Sequence, residues 1–117
     1  MYEYRAQLIK VIDGDTIDAK IDLGFGISIE KRVRLVGIDA PEVRTLDIDE
    51  KSRGKRAKRR LKVIFRENNN KFTIKSHGVG KFGRCLGEIF VKNKSVNEAL
   101  VKEGYAKNYK KEKRKWN

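Results

Sequence analysis

The sequence predicts an α+β fold, mainly β: a five-stranded Greek-key barrel of the OB type with two to three helices. Two observations predict it. Short segments alternate apolar with polar residues and are joined by turn signals, as in a meander of strands. After the third such segment, one apolar stripe at helical spacing interrupts them.

The first strand covers residues 4–12 and ends at Asp13-Gly14-Asp15, a turn signal. The second, residues 16–21, alternates Ile17, Ala19 and Ile21 with Asp18 and Lys20. Leu23-Gly24-Phe25-Gly26 is a flexible connection to a third strand over residues 27–38, where Val33, Leu35 and Gly37 share a side. Residues 47–68 then carry Ala57, Leu61, Ile64 and Phe65, whose spacings of four, three and one match one helix face. Asp47 or Asp49 caps this helix and Asn68-Asn69-Asn70 stops it, while Gly54 weakens its first turns. Residues 71–76 and 85–92 return to strand pattern, joined by a glycine-containing loop at 77–83. Ser95-Val96-Asn97-Glu98 is a capping box ahead of Ala99 and Leu100, and Gly104 is a helix stop. Beyond Tyr105 the chain is basic and thinly apolar, suited to a short helix or to partial disorder. No internal repeat or linker divides the chain, so residues 1–117 read as a single domain with a basic tail from about residue 107.

Composition narrows the function. The net charge is +13 on 117 residues, a field that attracts polyanions. It is unevenly divided. Residues 1–50 hold eleven acidic and seven basic side chains, and residues 51–117 hold five and 22. A local acidic site on a phosphate-seeking protein explains that split better than a uniform basic coat, and solubility alone needs far less charge. A single cysteine, Cys85, makes no internal disulfide, and with a single histidine, His77, it excludes a zinc cluster built on such residues. No run of 18 apolar residues occurs, so no membrane association is expected. The first ten residues do not read as a signal peptide, which leaves the compartment open.

Three segments carry candidate chemistry. Asp13-Gly14-Asp15-Thr16 places two carboxylates on a turn, the kind of oxygen ligand that hard cations such as calcium take. Alone it is equally an ordinary hairpin turn, and it lacks the remaining positions of an EF-hand loop. The segment 34–42 sets an apolar strand between Arg34 and the carboxylates Asp39 and Glu42. The sole proline, Pro41, keeps Ala40 out of a helix and frees its carbonyl. Its bland reading is a strand ending in a capped turn. In Lys81-Phe82-Gly83-Arg84, a glycine-flanked arginine precedes a strand and offers a planar fork to a phosphate, or simply a surface ion pair.

Together the three are more specific. Asp13-Gly14-Asp15-Thr16, then Arg34-x4-Asp39-x-Pro41-Glu42, then Phe82-Gly83-Arg84 with Val96-Asn97-Glu98-Ala99-Leu100 downstream resembles the staphylococcal nuclease (thermonuclease) family over about residues 7–107. The resemblance implies that Asp15 and Asp39 supply carboxylates to a calcium ion, joined by the Ala40 carbonyl, with Asp13 in the outer shell. It makes Glu42 the candidate general base and Arg34 and Arg84 the pair that holds the scissile phosphate. It also implies attack that leaves 3′-phosphate ends on DNA or RNA. Two departures stand out. Ala40 replaces a small hydroxyl residue where only a carbonyl is required, and Phe82 replaces a tyrosine beside the phosphate-contacting Lys81. Tyr105 and Tyr109 are candidates to stack on a base, although packing on the barrel is the favoured reading of Tyr105.

The expected function is therefore a calcium-dependent nuclease of low sequence specificity, monomeric and without a stable protein partner. The rival is a barrel that binds nucleic acid but has lost catalysis, which has no chemical need for Asp15, Arg34, Asp39, Glu42 and Arg84 together. A charge-driven protein-interaction domain leaves the acidic cluster unexplained. Residues 51–66 hold nine Lys or Arg and no acid, enough to grip a polyanion or merely to solvate a helix face, and residues 107–115 add six cations.

Overall fold

The computed structural model describes residues 2–80 and 83–109. Three antiparallel strands come first: β1 (Glu3–Asp13), β2 (Thr16–Gly24) and β3 (Ile27–Leu35). A two-residue strand, β4 (Ile38–Asp39), precedes the long helix α1 (Ile48–Glu67). Then come β5 (Lys71–Val79), β6 (Cys85–Val91), β7 (Lys94–Ser95), the helix α2 (Val96–Lys102) and β8 (Lys107–Asn108).

Five of these strands close into the predicted barrel. β1 pairs with β2 on one side and with β5 on the other, and β5 pairs with β6. Closure comes from β6 running parallel to β3, with Val33 opposite Cys85 and Leu35 opposite Gly87. β1 can serve both halves because its register shifts between Leu8 and Lys10 and again between Val11 and Asp13, irregularities that bend a strand. Alternation along the strands delivers Ile17, Val33, Leu35 and Ile89 to the interior, fully buried. α1 covers the barrel with the predicted stripe of Ala57, Leu61, Ile64 and Phe65, and α2 adds Val96 and Leu100. Each large apolar side chain so buried contributes about 1.5–3 kcal/mol.

The caps follow local chemistry. Asp47, not Asp49, is the N-cap of α1, its side chain accepting from the N–H groups of Asp49 and Glu50. Asn69 and Asn70 end the helix at φ 58° and 60°, left-handed positions that asparagine tolerates. Ser95 caps α2 by accepting from the Glu98 N–H, as the capping box predicts.

Three features depart from the sequence reading. The predicted third strand breaks after Leu35, because Gly37 at φ 79° turns the chain and only Ile38–Asp39 resumes as β4. A tight turn at Lys92 and Asn93 adds β7 to the sheet edge. The chain after Tyr105 does not start a helix: β8 pairs with β4, Ile38 opposite Asn108 and Asp39 opposite Lys107. Residues 110–117 of the basic tail lie outside the described residues. Among the described residues no helix is long and apolar enough to cross a membrane.

Candidate active site

The site forms where three chain segments converge at one end of the barrel. Asp15 sits on the β1–β2 turn, and its backbone carbonyl accepts from the Leu35 N–H at 2.8 Å, which ties that turn to the end of β3. The turn can approach α1 only because residue 14 is glycine: a Cβ there would stand 2.6 Å from the Cβ of Ala57 and 3.0 Å from that of Ala40. Glycine and two alanines thus let helix, turn and the 39–40 segment meet.

This packing buries Asp15 to 7% exposure. A buried carboxylate needs partners, and it has them. Oδ1 accepts from the Thr16 hydroxyl at 2.9 Å, and Oδ2 accepts from the Ala40 N–H at 2.8 Å. The second bond draws the segment after β4 onto the β1–β2 turn, 25 residues away in sequence. Arg34, near the end of β3, then lies between two carboxylates. Its Nη1 is 3.6 Å from Asp15 Oδ2 and its Nη2 is 3.7 Å from Asp39 Oδ1. Nη1 also donates to the Leu35 carbonyl at 2.8 Å, which orients the guanidinium. Tyr109 completes the arrangement: its N–H donates to the Gly37 carbonyl at 2.8 Å, and its ring lies 5.9 Å from Arg34 Cζ.

Asp15, Arg34, Asp39 and Ala40 are therefore brought together, with Tyr109 against the arginine. Asp39 is the open member, its side chain 52% exposed. Glu42 follows on the same segment with an exposed side chain, while its N–H donates to Glu50 Oε2 at 3.1 Å. Asp13 lies at the end of β1 opposite Thr16, half-buried, without a hydrogen bond to the cluster. Arg84 precedes β6, the strand parallel to the one that carries Arg34, and its carbonyl accepts from the Gly80 N–H at 2.7 Å. The Arg84 Nε is buried and has no acceptor among the described residues. Lys81 and Phe82 lie outside the described residues. Tyr105 packs half-buried against the core, as the second of its two readings has it, and also borders a cleft with Asp39, Ala40 and Pro41.

Two positioning residues escaped the sequence reading. Asn97 is 3% exposed. Its Nδ2 donates to the carbonyls of Val36 and Gly87, and its Oδ1 accepts from the Ile89 N–H. It thereby stitches α2 to β6 and to the chain just beyond Arg34. An asparagine three residues before a buried leucine on a short amphipathic helix is the signal that marks it. Gly54 is the second. A Cβ there would stand 2.6 Å from the Glu42 carbonyl oxygen and 2.9 Å from that of Pro41, so α1 packs directly on the backbone that carries Glu42.

Comparison with known proteins agrees with this architecture. Residues 32–117 match the family described as staphylococcal nuclease homologue, a span that begins after the Asp15 turn. The chain belongs to that family. It is 33% identical to Protein ParB of Escherichia coli, covering 92% of this chain and 59% of that protein. It is 31% identical to a thermonuclease of Staphylococcus intermedius, covering 84% and 55%. With the endonuclease YncB of Bacillus subtilis it shares 32% identity, covering 86% and 46%. The chain thus spans roughly half of the length of these relatives.

Proposed function

We propose that this domain is a nuclease that hydrolyses phosphodiester bonds of DNA or RNA with calcium, little sequence preference and 3′-phosphate products. The observation that carries the reading is the pair Asp15 and Asp39, from turns distant in sequence, flanking the one guanidinium of Arg34. Two carboxylates beside a phosphate-binding cation suit a reaction in which a divalent ion and an anionic substrate share a site. The names of the thermonuclease and endonuclease relatives support the same chemistry. The whole of residues 1–117 would act as one monomeric domain, with the basic tail from about residue 107 as an accessory.

The donor set fits a hard cation. Asp15, Asp39 and the Ala40 carbonyl would hold calcium, Asp13 would stand behind them, and waters would fill the remaining positions. Among the described residues no group of three or more His, Cys, Asp or Glu gathers there, so the ion would rest on these two carboxylates, one carbonyl and water. When bound, the ion would neutralise a non-bridging phosphate oxygen and lower the cost of water attack.

The protein groups do the rest. Glu42, exposed and three residues beyond Asp39, would take the proton from the attacking water, a role worth about 10²–10⁴ in rate. Attack at phosphorus would break the bond to the 5′ oxygen and leave a 5′ hydroxyl. Arg34 and Arg84 would stabilise the charge that gathers on the phosphoryl oxygens, each worth on the order of 3 kcal/mol, roughly a hundredfold. Tyr109 would hold Arg34 from behind or meet a base, and Tyr105, Lys81 and Phe82 would border the strand.

The test is incubation of purified protein with single-stranded DNA in millimolar calcium or in chelator. Cleavage in calcium alone is expected. Absence of cleavage in calcium leaves a nucleic-acid-binding barrel without catalysis.

A further inference from the structure

A groove of about 520 Å³ separates β1 from α1, and its chemistry is one-sided. Lys10 of β1 faces Lys58, Lys62 and Arg66 of α1 across it, and no carboxylate lines it. None of the four cations takes part in an ion pair among the described residues, whereas Arg32 and Arg60 elsewhere do. Lys58, Lys62 and Arg66 recur every fourth residue, so they line one face of the helix in a row of about 12 Å. The helix row is a ladder of charge without a paired carboxylate, whereas Lys10 has Asp18 opposite it on β2. Folding the row unpaired costs self-repulsion, which an anionic ligand would relieve.

The groove also has a fixed position. Gly14, which precedes Asp15, touches Ala57, which precedes Lys58. The row of cations therefore begins beside the turn that carries the buried carboxylate and runs away from it along α1.

We infer that this groove is a track for the backbone of a single nucleic-acid strand, extending the proposed nuclease site by several phosphates. The inference rests on that proposed function for its purpose, but not for its chemistry. Spaced cations on one helix face contact phosphates without reading bases, which suits a site of low sequence preference. A ladder of about 12 Å spans about four phosphates at the roughly 3.4 Å axial spacing of a stacked strand. An anionic membrane fits less well. Ile9 is the one strongly exposed apolar side chain on this shallow groove, too little to enter a bilayer.

The track predicts that affinity, not chemistry, depends on strand length. The test is fluorescence anisotropy with a labelled single-stranded 20-mer in chelator, where no cleavage can occur, across a salt series. The variants are K58Q/K62Q/R66Q and, as a control of equal charge change on other surfaces, K31Q/K94Q/K102Q. Each lost phosphate contact lowers the salt slope by about 0.7, so the groove variant should lose about 2 from its slope. At about 50 mM salt it should bind on the order of a hundredfold more weakly, and the control far less weakly. A dinucleotide, too short to lie along all three cations at once, should lose far less affinity in the groove variant than the 20-mer does. The inference is overturned if the two triple variants lose affinity and slope alike, or if the groove variant binds the 20-mer as wild type does. It is also overturned if wild type binds anionic vesicles as tightly as the strand. Because the measurement needs no turnover, failure of the nuclease reading would show separately, as absent cleavage in calcium.

Discussion

Arg34 carries more of the proposed chemistry than any other side chain. Its two terminal nitrogens face different carboxylates at 3.6 and 3.7 Å, longer than a strong charge-assisted bond. Those distances leave the fork held in place yet not saturated, as a phosphate-binding arginine should be. Lysine has the charge but only a point donor, so it cannot reach both carboxylates and the Leu35 carbonyl at once. Arg34→Lys should therefore cut single-turnover cleavage about a hundredfold while leaving thermal unfolding within a few degrees of wild type. Unchanged turnover would remove Arg34 from the reaction. At this scale the sequence was partly legible. The family resemblance pointed to Asp15, Arg34, Asp39 and Ala40, which the fold brings together. Asn97 was not singled out as a positioning residue: its place beside a buried leucine was visible, but its bond to the Val36 carbonyl, 61 positions away, exists only after the barrel closes. Periodicity records which face is buried and is silent on which polar groups are satisfied there.

At the level of elements, the site depends on how closely α1 approaches the loops around it. Gly14 against Ala57 and Ala40, and Gly54 against the Pro41 and Glu42 carbonyls, leave no room for a Cβ. Gly54 reads in sequence as a flaw in the helix, since glycine costs about 1 kcal/mol relative to alanine there. In the fold it is a packing residue. Gly54→Ala should thus fail to stabilise: gain in propensity is set against a Cβ 2.6 Å from the Glu42 carbonyl, and α1 or the 41–42 backbone must move. The expected outcome is a loss of about 1–3 kcal/mol by urea unfolding, together with lower cleavage because Glu42 shifts. A more stable variant with full activity would show that the contact is soft. Strands long enough to alternate, such as β1, β2 and β6, were predicted nearly to their ends. The pairing of β4 with β8 was not, since each has two residues and they lie almost seventy positions apart. Two residues cannot display a period, and yet this ladder fixes Asp39 opposite Lys107 beside the site.

Across the whole molecule, charge and topology divide the labour. The acidic excess of the first fifty residues includes the barrel turn and strand end that bear Asp15 and Asp39, while α1 and the later chain hold the basic excess. A polyanion is thus drawn to the molecule by a broad positive field and meets a small negative centre at the proposed cleavage point, where a divalent ion would reverse the local sign. Barrel closure brings the segments together: the parallel pairing of β3 with β6 sets Arg34 opposite Leu86, two residues beyond Arg84. The claim on which the rest depends is that Asp15 and Asp39 share one ion. Isothermal titration of millimolar calcium into wild type, Asp15→Asn and Asp39→Asn tests it most directly. The account predicts one ion per chain in the wild type and its loss in both variants; undiminished binding in either variant, or none in the wild type, would contradict it.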